Sequence, residues 1–235
     1  MKLQNRTALI TGAAQGIGLA IAHAFVKQGG RVVLADIDAD RVAAEAANIG
    51  TDNALGLALD VSDSEAVAAA IEQTVWHFGG LDIAVAGAAV MTPTVSIADL
   101  EPADWQAAIS VNLTGAFLVS KHAIRHMRGN GGGNVILIAS QMARVAWPGG
   151  AAYSTTKGGL LQLAKGIALD HAADNIRANT LSPGGTATRR LEAKFGDMAT
   201  AQREWGPKHP LGRLAEVTEI AAGAVFLGSD DSSFM

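Results

Sequence analysis

The chain has 235 residues, 49% of them hydrophobic and 17% charged, enough for one α/β domain that buries about 70% of its extended surface. It contains no cysteine, which excludes disulfides, thiolate metal sites and cysteine nucleophiles. A net charge of -4 provides no basic stripe for a phosphate backbone, so nucleic acid is not an expected partner.

Short β-branched runs alternate with alanine-rich segments of helical period, the pattern of βαβ units feeding a parallel sheet. Strands are expected at Arg6–Ile10, Arg31–Ala35, Ala54–Leu59, Ile83–Ala86, Asn134–Ala139 and Arg177–Leu181. Gly29-Gly30 and Gly79-Gly80 end the first and third helices where a left-handed residue is needed, and Ser62-Asp63-Ser64-Glu65 opens the third with capping-box spacing. Ala103–Arg128 and Tyr153–Ala172 read as long helices, apolar on more than one face. Residues 186–212 lack clear periodicity and read as a mobile substrate lid. No linker divides residues 1–235. No unbroken run of eighteen apolar residues and no signal-peptide core is present, so a cytoplasmic protein with no membrane partner is expected.

The first strand runs directly into Gly12-Ala13-Ala14-Gln15-Gly16-Ile17-Gly18, and a helix follows. A glycine turn in that position brings backbone N–H groups and a helix N-terminus up to a phosphate, as in dinucleotide binding. Asp36 ends the second strand about 20 residues on, where its carboxylate can accept from ribose hydroxyls and repel a 2′-phosphate. Neither Gln15 nor Ile37 is basic, so NAD is favoured over NADP, with Arg41 near enough to keep the second open.

Tyr153, the only tyrosine, precedes Lys157 by four residues, so phenol and ammonium share one helix face. An unperturbed phenol is about 0.1% ionised at neutral pH, and a fixed positive neighbour favours the phenolate. His122, His126, His171 and His209 invite a metal reading, but no acidic or third histidine ligand accompanies the i, i+4 pair His122 and His126 at a usual spacing, so surface roles and no metal are expected. Trp76 and Trp105 read as packing residues.

Over essentially the whole chain, these motifs in this order resemble the short-chain dehydrogenases/reductases. The resemblance implies a Rossmann-type, doubly wound parallel sheet in three layers. It places Asp60-Val61 against the adenine and Gly87 by the adenosine ribose. It sets Pro183, Gly184, Thr186 and Thr188 around the nicotinamide carboxamide. It makes Tyr153 the acid/base, Ser140 the substrate-orienting hydroxyl and Asn112 the anchor of a water leading to Lys157, which also holds the nicotinamide ribose. The chain departs from the family in Ala86-Gly87-Ala88-Ala89, where Asn-Asn-Ala-Gly is usual; this is expected to loosen the strand end. After the late helix at Val217–Gly228 the family continues into one more strand, so the resemblance implies a truncated C-terminus and an exposed sheet edge.

By resemblance, Met91, Gln141, Met142, Arg144, Val145 and Trp147 line the substrate site, with Phe195 and Trp205 in the lid. Most are apolar, which suits a small-molecule secondary alcohol or ketone with a hydrophobic or cyclic body, while Arg144 offers a carboxylate partner. Three functions stay open: an NAD-dependent alcohol or polyol dehydrogenase, a reductase of carrier-bound 3-oxo groups, and a dinucleotide-binding regulator without catalysis. The two long helices and the resemblance point to a homo-oligomer, a dimer or tetramer.

Overall fold

The computed structural model describes residues 1–235. Its strands are β1 (Thr7–Thr11), β2 (Arg31–Asp36), β3 (Ala54–Ala58), β4 (Ile83–Ala86), β5 (Gly133–Ile138) and β6 (Ile176–Leu181). They form one wholly parallel sheet in the order β3-β2-β1-β4-β5-β6. Chain order reverses between β1 and β4, the switch point outside whose strand ends α/β sheets bind ligands.

Successive strand residues point to opposite faces, so each strand feeds two cores. Leu9, Val33, Ala84, Val135 and Leu137 pack under α3 (Ser64–Phe78), α5 (Gly115–Met127) and α6 (Ala151–His171). Ile10, Val32, Leu34, Val85 and Ile136 pack under α1 (Gly16–Lys27), α2 (Ala39–Ile49) and α9 (Val217–Gly228). α1 illustrates the rule: Gly18, Ile21, Ala22 and Phe25 are its buried residues, at i, i+3, i+4 and i+7. Three layers result, as expected.

Strand positions agree with the sequence reading to within a residue or two, and β6 forms the outer edge of the sheet. Four details differ. The N-cap of α3 is Asp63, which accepts from the N–H groups of Glu65 and Ala66 at 2.8 and 3.2 Å. The long helix expected from Ala103 is α4 (Pro102–Ala108) and α5 joined through a π-helical turn, Ile109–Thr114. That continuous helix is apolar and long enough to cross a bilayer, yet half of its apolar window is buried within the fold. Residues 186–212 hold α7 (Arg189–Phe195) and α8 (Met198–Trp205) where irregular structure was expected. Trp76, expected to pack, is 85% exposed on the outer face of α3.

Candidate active site

The glycine turn after β1 is built for close backbone approach. Gly12 and Gly16 adopt φ of +70° and +60°, which side-chain-bearing residues rarely adopt. A Cβ at Gly12 would lie 2.8 Å from the backbone nitrogen of Ala88. A Cβ at Gly18 would run into the Gly12 carbonyl oxygen, so this glycine lets α1 sit directly on the turn. No side chain caps the N-terminus of α1 at Gln15, which leaves its first N–H groups and positive dipole end for an anion. At the end of β2, one Asp36 oxygen accepts from Ala14 N–H at 3.2 Å and the other from Asp38 N–H at 3.3 Å. Ile37 beside it is 78% exposed.

The end of β4 is tied where loosening was expected. Thr11 Oγ1 accepts from the N–H groups of Gly87 and Ala88 at 3.1 and 3.3 Å and donates to Val85 O at 3.3 Å. One hydroxyl in β1 thus does holding work that the missing amides of Ala86-Gly87-Ala88-Ala89 were expected to leave undone. Asp60 accepts from both Ser62 N–H and Ser62 Oγ, at 2.9 and 2.7 Å, bonds that hold its carboxyl below the usual range. Val61 is buried against Gly115, where a Cβ would meet its side chain.

Ser140 follows β5 and caps the short turn Gln141–Ala143. Its Oγ accepts from Met142 N–H at 3.1 Å, which leaves its own proton free to donate. Tyr153 stands in the first turn of α6, with Lys157 one turn on. The Lys157 ammonium is 5.7 Å from the centre of the Tyr153 ring and donates to the Ile138 carbonyl at 2.6 Å; the residue is 2% exposed. Burial brings its pKa down to about 7, and the Arg190 guanidinium acts in the same direction. Burial also pushes the Tyr153 phenol up, partly opposed by the Ser140 hydroxyl and by Arg190. The phenol is thus raised where Lys157 was expected to lower it. Asn112 sits buried in the π turn, its amide bonded to both the loop after β4 and α6. It accepts from Val90 N–H at 2.7 Å and donates to Val90 O at 3.0 Å and Thr156 Oγ1 at 3.4 Å. It pins the loop after β4 to α6.

Pro183, Gly184 and Thr186 follow β6, and the methyl of Thr188 lies next to Gly16, so this segment meets the glycine turn. Thr186 is buried and donates to Gly184 O at 3.2 Å. Gln141 Oε1 lies beside Gly184, and Met142 beside Gly150. Trp147 meets Trp205 of α8 edge to face at 4.8 Å, with Phe195 5.9 Å from Trp205. Lys208 lies 4.4 and 4.5 Å from the two indole ring centres. Met91 and Val145 are exposed in loops. A separate concavity of about 830 Å³ between α1 and α9 reaches Gly16 and Thr188, but Ser140, Tyr153 and Lys157 are not in its wall.

The matches to known proteins follow this geometry. A family model described as enoyl-(acyl carrier protein) reductase matches residues 12–235. Cis-4-hydroxycyclohexanecarboxylate dehydrogenase of Sinomonas cyclohexanicum is 36% identical, covering 98% of this chain and 92% of its own length. D-threitol dehydrogenase of Mycolicibacterium smegmatis is 36% identical, covering 100% and 90%. A crystal structure of a putative short-chain alcohol dehydrogenase from Sinorhizobium meliloti superposes with a TM-score of 0.92 at 33% identity, covering 100% of this chain and 93% of that one. The chain belongs to the short-chain dehydrogenase/reductase family.

Membership makes it an oxidoreductase of a family whose dehydrogenases use a nicotinamide dinucleotide. The residues present fit that group: two left-handed glycines, an uncapped helix N-terminus and, tied to Ala14 of the same turn, a carboxylate at the end of β2. The sequence reading of this short-chain dehydrogenase/reductase passed over Arg190 and Lys208 and gave His209 a surface role. Arg190 donates to Ala89 O at 2.7 Å, Lys208 lies against two indoles, and His209 packs on Gly184-Gly185. Two adjacent glycines after Pro183 were the available signal that a bulky neighbour leans on that turn.

Proposed function

We propose that this protein is an NAD-dependent dehydrogenase that moves a hydride between nicotinamide and a secondary alcohol or ketone, with Tyr153 as acid/base. The observation that carries this reading is the grouping of Ser140, Tyr153 and buried Lys157: the Ser140 hydroxyl bears on the Tyr153 phenol, and the Lys157 ammonium lies 5.7 Å from the centre of its ring. Gly12, Gln15, Gly16, Ile17 and Gly18 would hold the pyrophosphate, and Asp36 and Ile37 the adenosine ribose. Asp60, Val61 and Gly87 would flank the adenosine. Pro183, Gly184, Thr186 and Thr188 would hold the carboxamide, and Lys157 the nicotinamide ribose. The carboxylate of Asp36 and the apolar Ile37 favour NAD over NADP.

Bound nicotinamide supplies or takes up the hydride. The Ser140 hydroxyl donates to the substrate oxygen and fixes the reacting carbon. In ketone reduction the Tyr153 hydroxyl gives its proton to that oxygen; in alcohol oxidation the phenolate removes it. Lys157, with a pKa near 7, changes charge close to neutrality 5.7 Å from the centre of the Tyr153 ring, while the Ser140 hydroxyl and Arg190 favour the phenolate. The mouth, with Met142, Trp147, Trp205 and Phe195 beside cationic Lys208 and Arg190, suits a cyclic alcohol carrying a carboxylate. We also propose that the protein works in the cytoplasm as a dimer or tetramer, a reading supported by Phe117 of α5 and Leu169 of α6, both exposed.

The test follows reduced-nicotinamide absorbance with NAD and NADP across cyclic hydroxycarboxylates, polyols and 3-oxoacyl thioesters. NAD-dependent oxidation of a cyclic or secondary alcohol is expected. Turnover of the thioesters with NADPH alone would replace the substrate reading. Cofactor binding without turnover of any compound would favour a regulator.

A further inference from the structure

Two hydrogen bonds fix the state of His209. Its Nε2 lies 2.8 Å from the backbone nitrogen of Gly185, and its Nδ1 3.1 Å from the carbonyl oxygen of Trp205. A backbone N–H can only donate and a carbonyl can only accept. Nε2 is therefore bare and Nδ1 carries the proton, one neutral tautomer set by its partners.

The ring fills space that only glycines leave. A Cβ at Gly184 would lie 3.1 Å from His209 Cδ2, and one at Gly185 would lie 2.6 Å from His209 Cε1 and 2.7 Å from Trp205 Cδ1. The Gly185 carbonyl is held as well, accepting from Ala215 N–H at 2.9 Å, while Ala187 N–H donates to Ala215 O at 2.8 Å. His209 itself sits in a firm turn, its N–H donating to Gly206 O and its carbonyl accepting from Gly212 N–H. The imidazole thus joins residues 24 apart in sequence, across the base of the loop that carries α7 and α8. It links the turn after β6 to the last carbonyl of α8, whose Trp205 ring packs on Trp147 at the mouth.

We infer that His209 is a positioning residue: it holds the Pro183–Gly185 turn in the shape that receives the nicotinamide and locks the lid helices to that turn. The inference rests on the proposed dinucleotide function, because it takes this turn to be where the nicotinamide lies. Its effect falls on the nicotinamide half of the cofactor. The adenosine half meets Asp36 and the glycine turn, which His209 does not touch.

The test compares the full-length protein with His209→Leu, which keeps apolar bulk but lacks an acceptor, and His209→Gln, which retains an acceptor. Binding is read with NADH by fluorescence and with ADP-ribose by calorimetry. Loss of one part-buried hydrogen bond implies a weakening of NADH binding by His209→Leu of about five- to tenfold. ADP-ribose affinity stays within twofold, KM for the cofactor rises more than kcat falls, and His209→Gln recovers most of the loss. In the wild type, nitrogen NMR places the proton on Nδ1 of His209, and the Gly185 amide exchanges slowly; these readings stand even if the Leu variant does not fold. Equal losses for NADH and ADP-ribose, unchanged NADH binding in the Leu variant, or a protonated Nε2 in the wild type overturns the inference. Failure of the wild type to bind either ligand overturns the dinucleotide reading itself.

Discussion

The carboxylate of Asp36 accepts the backbone N–H of Ala14 at 3.2 Å, which ties the end of β2 to the glycine turn it faces. Its position is therefore set before any ligand arrives. A fixed negative charge opposes a 2′-phosphate, and the exposed Ile37 offers nothing to offset it. Asp36→Asn combined with Ile37→Arg is expected to raise the NADP/NAD ratio of kcat/KM by about ten- to a hundredfold, the worth of one charge-assisted hydrogen bond. Initial rates with both cofactors check this, and an unchanged ratio would place the adenosine ribose elsewhere.

Gly18 packs α1 onto Gly12 with no room for a methyl group. Gly18→Ala is expected to destabilise the protein by about 1–3 kcal/mol through overpacking and to weaken dinucleotide binding by opening the turn. Urea unfolding and NADH titration measure the two effects separately. Gly166, whose Cβ would meet open space, is the control: Gly166→Ala in α6 should leave binding unchanged and slightly raise stability.

Lys157 makes stability depend on pH in a direction that can be worked out. Its folded pKa is about 7, below the ordinary lysine value near 10.5, so between those values the unfolded chain binds the extra proton. Stability of the ligand-free protein therefore rises with pH across this window, by up to about 1.4 kcal/mol per pH unit from this one group. Below about pH 7 the cost of the buried ammonium is fully present. Lys157→Met should unfold at higher urea than wild type at pH 7, with the difference shrinking toward pH 10. A constant difference across that range would mean that the ammonium is not desolvated.

How far the sequence carried the structure depends on which signals have a period. The strands were readable because Leu9 and Ile10, or Val32 and Val33, must enter opposite cores, and β-branched runs bounded by glycine do this. Residues 186–212 were hard to read: α7 and α8 are only two turns each, α7 buries no residue and α8 only Ala201. The π turn around Asn112 leaves no compositional mark, because it shifts hydrogen-bond register without changing residue types. The capping-box spacing pointed to Ser62, but Asp63 caps α3, its carboxylate reaching two N–H groups. Among the site residues, Tyr153 and Lys157 were found through their spacing, and Ser140 through the family resemblance. His209 and Arg190 act through backbone partners 24 and 101 residues away, which no local spacing announces.

The central claim is that the Tyr153 phenol moves the proton that accompanies hydride transfer. The measurement that tests it is single-turnover oxidation of a secondary alcohol by Tyr153→Phe and wild type, beside NADH binding by fluorescence in both. The account expects NADH affinity within twofold of wild type and a rate lowered by about 10²- to 10⁴-fold, the usual worth of a positioned acid/base. A Phe variant that turns over at the wild-type rate with intact cofactor binding contradicts it.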